Sequence, residues 1–77
     1  MKTSELKVGF MYHLGNKAIG IYVGSIEFRR GIFKQKKVNI YRFRPVAQGD
    51  YIIDDDGLIG FVAPKNTLPI TLFNPEK

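Results

Sequence analysis

The chain lacks several features that would narrow its chemistry. It has no cysteine, so no disulfide fixes the fold, which fits a reducing compartment; we expect a cytoplasmic location. The first residues lack the apolar stretch of a signal peptide, and no apolar run approaches the ~20 residues of a membrane span, so no membrane partner is expected. A single histidine, His13, and no nucleophile-elbow pattern leave no catalytic set. We expect a non-enzymatic protein with no cofactor.

What is present indicates one small β domain. The 77 residues form a single domain spanning 1–77, with 1–6 and 74–77 expected to be loose termini. Aromatic and β-branched residues are abundant, and eight glycines punctuate the chain. The pattern predicts strands over 8–14, 18–28, 32–44 and 67–73, the third ended by Pro45, and a hairpin of 50–54 with 58–63 around Asp55-Asp56-Gly57. The apolar alternation changes face after Gly24, which predicts a bulge or sharp bend.

Short strands at this spacing suit a small barrel better than a two-layer sandwich, because a barrel hides its edges. We therefore predict an all-β fold, a five- to six-stranded barrel made from a strongly bent antiparallel sheet. The segments Lys7-Val8-Gly9, Gly15-Asn16-Lys17 and Gly20-Ile21-Tyr22-Val23 resemble the opening of an SH3-like barrel of the KOW or Tudor kind. This resemblance covers residues 6–26 and implies a domain that binds nucleic acid, methylated tails or partner proteins.

The strongest functional signal is an uncompensated run of positive charge. The net charge is +5, divided into +8 over residues 1–49 and −3 over residues 50–77, a polarity that also permits contact between copies of the chain. Within residues 29–44 there is no acidic residue, and basic side chains are interleaved with aromatic ones. The predicted binding residues are Arg29, Arg30, Lys34, Lys36, Lys37, Tyr41, Arg42, Phe43 and Arg44.

Two arrangements of this segment remain open. If Val38 and Ile40 face the core, then Tyr41 and Phe43 are exposed as a stacking platform; if the two aromatic rings face the core, the neighbouring arginines project outward. Either suits binding of DNA or RNA through the backbone with low sequence specificity. The alternative is a protein-interaction module that uses the same cations on an acidic protein surface, for example a phage-type accessory protein or an inhibitor docked on a nucleic-acid-handling enzyme.

The acidic turn Asp54-Asp55-Asp56-Gly57 also has several interpretations. Clustered carboxylates suit hard cations, but the spacing does not match a calcium loop, and no metal site is predicted. A solvated hairpin turn is the simplest interpretation. A third is that these acids contact a basic patch on a partner or a second copy.

Overall fold

The computed structural model describes residues 1–15, 18–31, 33, 36–47, 51–63 and 65–73, except for the Arg30 side chain. After a 3-10 turn at Thr3–Glu5, the elements in chain order are β1 (Met11–His13), β2 (Ile19–Arg30), β3 (Lys36–Ala47), β4 (Ile59–Val62) and β5 (Thr71–Leu72). All paired strands are antiparallel and form one sheet in the order β4-β3-β2-β1-β5. The predicted all-β class and antiparallel sheet are confirmed. Over the described residues the sheet is open, with β4 and β5 as its edges, and is not a closed barrel.

The centre of the fold is the long hairpin of β2 and β3, which contains the predicted bulge. The register shifts by one residue between Tyr22 and Gly24, where Val23 is the extra residue. Gly24 has a φ of +132°, a conformation that side-chain-bearing residues rarely adopt. The bulge therefore lies at the position where the apolar alternation changes face.

Aromatic rings fill the core on the inner side of the sheet. Phe43 is fully buried, and its ring centroid lies 5.9 Å from that of Tyr12, 5.3 Å from Tyr22 and 5.7 Å from Phe61. The segment between β4 and β5 crosses this side and contributes the buried side chains of Leu68 and Ile70. The second of the two arrangements left open by the sequence is thus the observed one, since the aromatic residues of β3 face the core.

The N-terminal residues are tied to the loop before β5. The Met1 ammonium donates to the Leu68 carbonyl at 2.8 Å, and the Leu68 amide donates to the Met1 carbonyl at 2.8 Å. The Thr3 amide donates to the Asn66 carbonyl, also at 2.8 Å. Residues 1–3 thus differ from the expected loose terminus because backbone pairing fixes them, whereas 74–77 lie outside the described residues.

Several local predictions need correction, and β1 and β5 are shorter than the strands predicted over 8–14 and 67–73. Pro45 does not end β3, which continues to Ala47; it pairs with Gly20 beside a register irregularity, where the missing amide donor is tolerated. The acidic turn forms as predicted, with the Gly57 amide donating to the Asp54 carbonyl at 2.9 Å. The segment before that turn is shorter than expected, because its described residues make one isolated bridge, from Ile53 to Ile59.

The outer part of the hairpin projects beyond the core. Residues 26–30 of β2 and 36–40 of β3, here called the arm, extend about 17 Å at 3.3–3.4 Å per residue. The molecule measures 48 × 25 × 20 Å, and its radius of gyration of 13.0 Å exceeds the ~11.5 Å expected for a sphere-like domain of this length. The arm therefore exposes both of its faces.

Candidate nucleic-acid interface

The arm is amphipathic across its two faces. Successive side chains of a strand point to opposite sides, and the pairing register holds without a shift from the pair of Gly24 with Arg42 to the pair of Arg30 with Lys36. One side, the polar face, carries two cross-strand pairs, Glu27 with Asn39 and Arg29 with Lys37. The other side, the apolar face, carries Ile26 with Ile40 and Phe28 with Val38.

The predicted basic residues consequently separate into two groups. Arg29 and Lys37 lie on the polar face, and both are exposed. Lys36, Arg42 and Arg44 lie at alternate positions of β3 and belong to the opposite side. The register assigns Arg30 to the side of Lys36, but its side chain and the whole of Lys34 lie outside the described residues. The structure therefore does not gather the described cations on one surface.

Arg42 is occupied by the acidic turn of the same chain. Its Nη2 donates to Asp56 Oδ2 at 2.7 Å and to Asp54 Oδ2 at 3.3 Å, and the arginine side chain is only 18% exposed. The Leu58 amide, with the Asp56 amide and the Arg42 guanidinium, donates to the Asp54 carboxylate and lowers its pKa. Two carboxylates of the acidic turn, those of Asp54 and Asp56, are thus bound by a basic residue of the same chain.

The predicted aromatic contacts are also redistributed. Phe43 is fully buried and Tyr41 is 9% exposed, so neither presents its ring to a base. Phe43 therefore leaves the proposed contact set, because β3 turns it toward the core. Tyr41 is mostly buried, but its remaining exposed part lines the groove described next. Phe33 is 97% exposed at the hairpin end of the arm, which makes it the available stacking residue there.

A groove on the inner side of the sheet extends the polar face of the arm. It consists of two adjoining concavities that share Tyr41 and Asn66, and the larger has a volume of about 530 Å³. Lys37 and Asn39 line the part beside the arm, together with Lys36 and Val38, which the register assigns to the other face. The far part is lined by Lys2, Thr3, Ser4, Lys65 and Thr67. We call this the cationic groove.

Lys2 and Lys65 were missed by sequence reasoning. They lie 63 positions apart and far from the basic run, and the backbone pairing between the N-terminus and residues 66–68 brings their segments together. Neither residue has a sequence neighbourhood that marks it as part of a site. Only the long-range backbone pairing in the structure shows that the two lysines belong to the same groove.

In the part of the chain that the structure describes, the remaining residues with reactive or metal-binding side chains do not form a second site. His13 is exposed on β1 and packs against Phe73, with ring centroids 5.0 Å apart. Among the residues that the structure describes, no three His, Asp or Glu side chains are grouped as a metal site would need. No helix in this described part is long and apolar enough to cross a membrane.

Comparison with known proteins adds no relative: no family model, curated protein or solved structure matches this chain. The geometry and charge of the molecule alone therefore indicate its function.

Proposed function

We propose that this chain is a non-enzymatic module that binds nucleic acid in the cationic groove and along the polar face of the arm. The observation that carries the proposal is the grouping of four positive side chains on one side of the molecule: Lys2, Arg29, Lys37 and Lys65. Hydroxyl and amide side chains of Ser4, Asn39 and Asn66 lie between them and can donate hydrogen bonds to phosphate oxygens.

The acidic residue on the polar face does not block this binding. Glu27 Oε1 lies 3.7 Å from Lys37 Nζ, and the two side chains are 51% and 67% exposed. A pair so open to water contributes only about 0–1 kcal/mol. A phosphate can therefore replace the carboxylate as the partner of Lys37.

The length of the groove suits a short stretch of backbone. Lys37 and Tyr41 are four residues apart on β3, which corresponds to about 13 Å, and the larger concavity continues beyond Tyr41. Contacts to backbone phosphates along this path carry no sequence information, so we expect binding of low sequence specificity. Phe33 at the hairpin end supplies a ring on which an unpaired base can stack, which favours single-stranded over duplex nucleic acid.

We also propose that the fold is a partly open member of the SH3-like barrel type. The strand order supports this, because four successive strands form a meander and β5 returns to pair with β1. The bulge at Gly24 supplies the bend that a small barrel requires.

Salt-dependent binding tests the function. Four phosphate contacts predict that log K falls with log salt at a slope of about −2.8 for single strands or −3.6 for duplex, which is roughly 50- to 150-fold weaker binding between 50 and 200 mM salt. Fluorescence anisotropy with labelled single-stranded and duplex oligonucleotides measures the affinity at each salt concentration, and the slope follows from these affinities. Lys37→Gln and Lys65→Gln should each reduce the slope by about 0.7–0.9.

Arg44→Gln is the matched control, because it removes one exposed charge from the opposite side of β3 and should leave the slope unchanged. The absence of binding at low salt, or equal losses in Arg44→Gln and Lys37→Gln, would contradict the proposal. The alternative of docking on an acidic protein would instead be favoured if a stoichiometric protein stays bound after nuclease treatment of a lysate and oligonucleotides do not bind.

A further inference from the structure

The apolar face of the arm is an exposed hydrophobic surface that the proposed function does not use. Ile26 is 45% exposed and Phe28 is 50% exposed, although both lie within regular pairing of β2 with β3. The neighbouring strand β4 extends the surface with Val62, which pairs with Ile40 and is 48% exposed. Beside them Ile52 is 90% exposed.

These side chains form one continuous surface with a concavity in it. The concavity has a volume of about 380 Å³, and Ile26, Ile40, Ile52, Leu58 and Val62 line it together with Arg42 and Asp54. If a large side chain has roughly 150–200 Å² of surface, the exposed apolar part amounts to about 400 Å². An exposed apolar surface of this area is typical of interaction sites on small proteins.

Opposite charges lie at the two ends of this surface. Lys36 lies at the hairpin end, on the same side of β3 as Val38 and Ile40. Asp54, Asp55 and Asp56 lie at the other end, where Arg42 balances one of the three carboxylates and leaves a local charge of −2. The two ends are about 20 Å apart, since six residues separate Lys36 from Arg42 on the strand.

We propose that this surface binds the same surface of a second copy of the chain, with the two arms antiparallel. An isologous two-fold contact requires a self-complementary surface, and an apolar centre between a positive and a negative end meets that requirement. The two-fold axis places the Lys36 end of each copy over the acidic turn of the other, so the same charge contact forms at both ends of the interface. It also directs the exposed Phe28 ring of each copy toward the concavity of its partner.

The contact is a sheet-on-sheet packing of ordinary dimensions. Two sheets pack about 10 Å apart with their strands within about 30° of alignment. The apolar area of about 400 Å² is half of the ~800 Å² that a standard interface buries per partner, so the contact requires the charged ends of the surface as well. The far part of the cationic groove, lined by Lys2, Ser4 and Lys65, lies away from this surface and stays accessible in the dimer. The part beside the arm is lined in addition by Lys36, Val38 and Val62, so it borders the interface.

Analytical ultracentrifugation from roughly 5 µM to roughly 500 µM, without nucleic acid, tests the dimer. We expect the sedimenting mass to rise from 8.8 kDa to twice that value. Phe28→Ser and Val62→Lys should each weaken association more than tenfold, with unchanged far-ultraviolet circular dichroism because both residues are already half exposed. Leu72→Ser is the control, because Leu72 is equally exposed but lies on β5.

The charge arrangement has its own test. Lys36→Glu should weaken association, and Lys36→Glu combined with Asp55→Lys should restore it, because the exchanged charges meet again across the two-fold axis. A monomer over the whole concentration range would overturn the proposal, whether or not the chain binds nucleic acid. Equal effects of Leu72→Ser and Phe28→Ser, or no restoration in the double variant, would also overturn it.

Discussion

Substitution of Gly20 by alanine tests how the core is organised around the β2–β3 hairpin. Gly20 is buried on β2, opposite Tyr12 of β1 and Pro45 of β3. A methyl group at this position would lie 2.7 Å from Leu14 Cδ1, 3.0 Å from Phe43 Cβ and 3.2 Å from the Arg44 carbonyl oxygen. The first of these neighbours is the end of a flexible side chain, whereas the other two are fixed by the strand.

The expected magnitude follows from these distances. Overpacking of a core destabilises by about 1–3 kcal/mol. Alanine also has less conformational freedom than glycine in the unfolded chain, and this stabilises the folded state by about 0.4–1 kcal/mol, which offsets part of the cost. The mid-range values leave a net loss of about 1.3 kcal/mol in the free energy of unfolding, which lowers the Tm by roughly 5–10 °C for a domain of this size.

Urea unfolding followed by circular dichroism measures this loss, and the m-value should stay the same if the folded state keeps its surface. A double-mutant cycle with Leu14→Ala separates the effect of the Leu14 contact from the effect of the two contacts with β3. Because removal of the leucine relieves only the shortest contact, Gly20→Ala should still destabilise the Leu14→Ala background, but by less than it destabilises the wild type. Unchanged or increased stability of the single variant would refute the close approach of β3 to Gly20.

Two further predictions concern single polar groups. Tyr12→Phe should lower the free energy of unfolding by about 1–2 kcal/mol in urea titrations, because the buried Tyr12 hydroxyl accepts a hydrogen bond from the Lys7 amide at 2.9 Å; a stability equal to wild type would contradict this role. The lowered pKa of Asp54 in the fold stabilises the protein above the ordinary carboxyl pKa, and this contribution is lost as pH falls through the folded value. Thermal melts from neutral pH down to about pH 3 should therefore show wild type losing its advantage over Asp54→Asn; a constant difference would contradict the prediction.

The sequence predicted the features of the fold that depend on local residue chemistry. The bulge at Gly24 and the turn at Gly57 depend on backbone conformations that glycine adopts easily, so both leave a mark in a short window of sequence. The choice of core-facing side on β2 depends on tertiary packing. Ile21 and Tyr22 are both apolar enough for a core, and only the rings around Phe43 select Tyr22.

The candidate site was only partly predictable for the same reason. Arg29 and Lys37 follow from the basic run, because any exposed hairpin in this segment presents them. The pairing of Arg42 with Asp54 and Asp56 joins residues 12 and 14 positions apart through side chains, and nothing in either segment specifies it. The sequence alone therefore predicts more cations available to a partner than the structure has, since Arg42 is bound by the acidic turn.

The one-residue bulge also explains how the arm acquires two chemically distinct faces. If Val23 were paired regularly instead of bulging out, the alternation of β2 would place Ile26 and Phe28 on the side of Lys37, and Glu27 and Arg29 on the other. Both faces would then mix apolar and charged residues, and neither would suit a phosphate backbone or a second sheet. The shift aligns the apolar residues of β2 with those of β3 and the polar residues likewise. A local irregularity next to the core thus separates the two proposed interaction surfaces over the whole length of the arm.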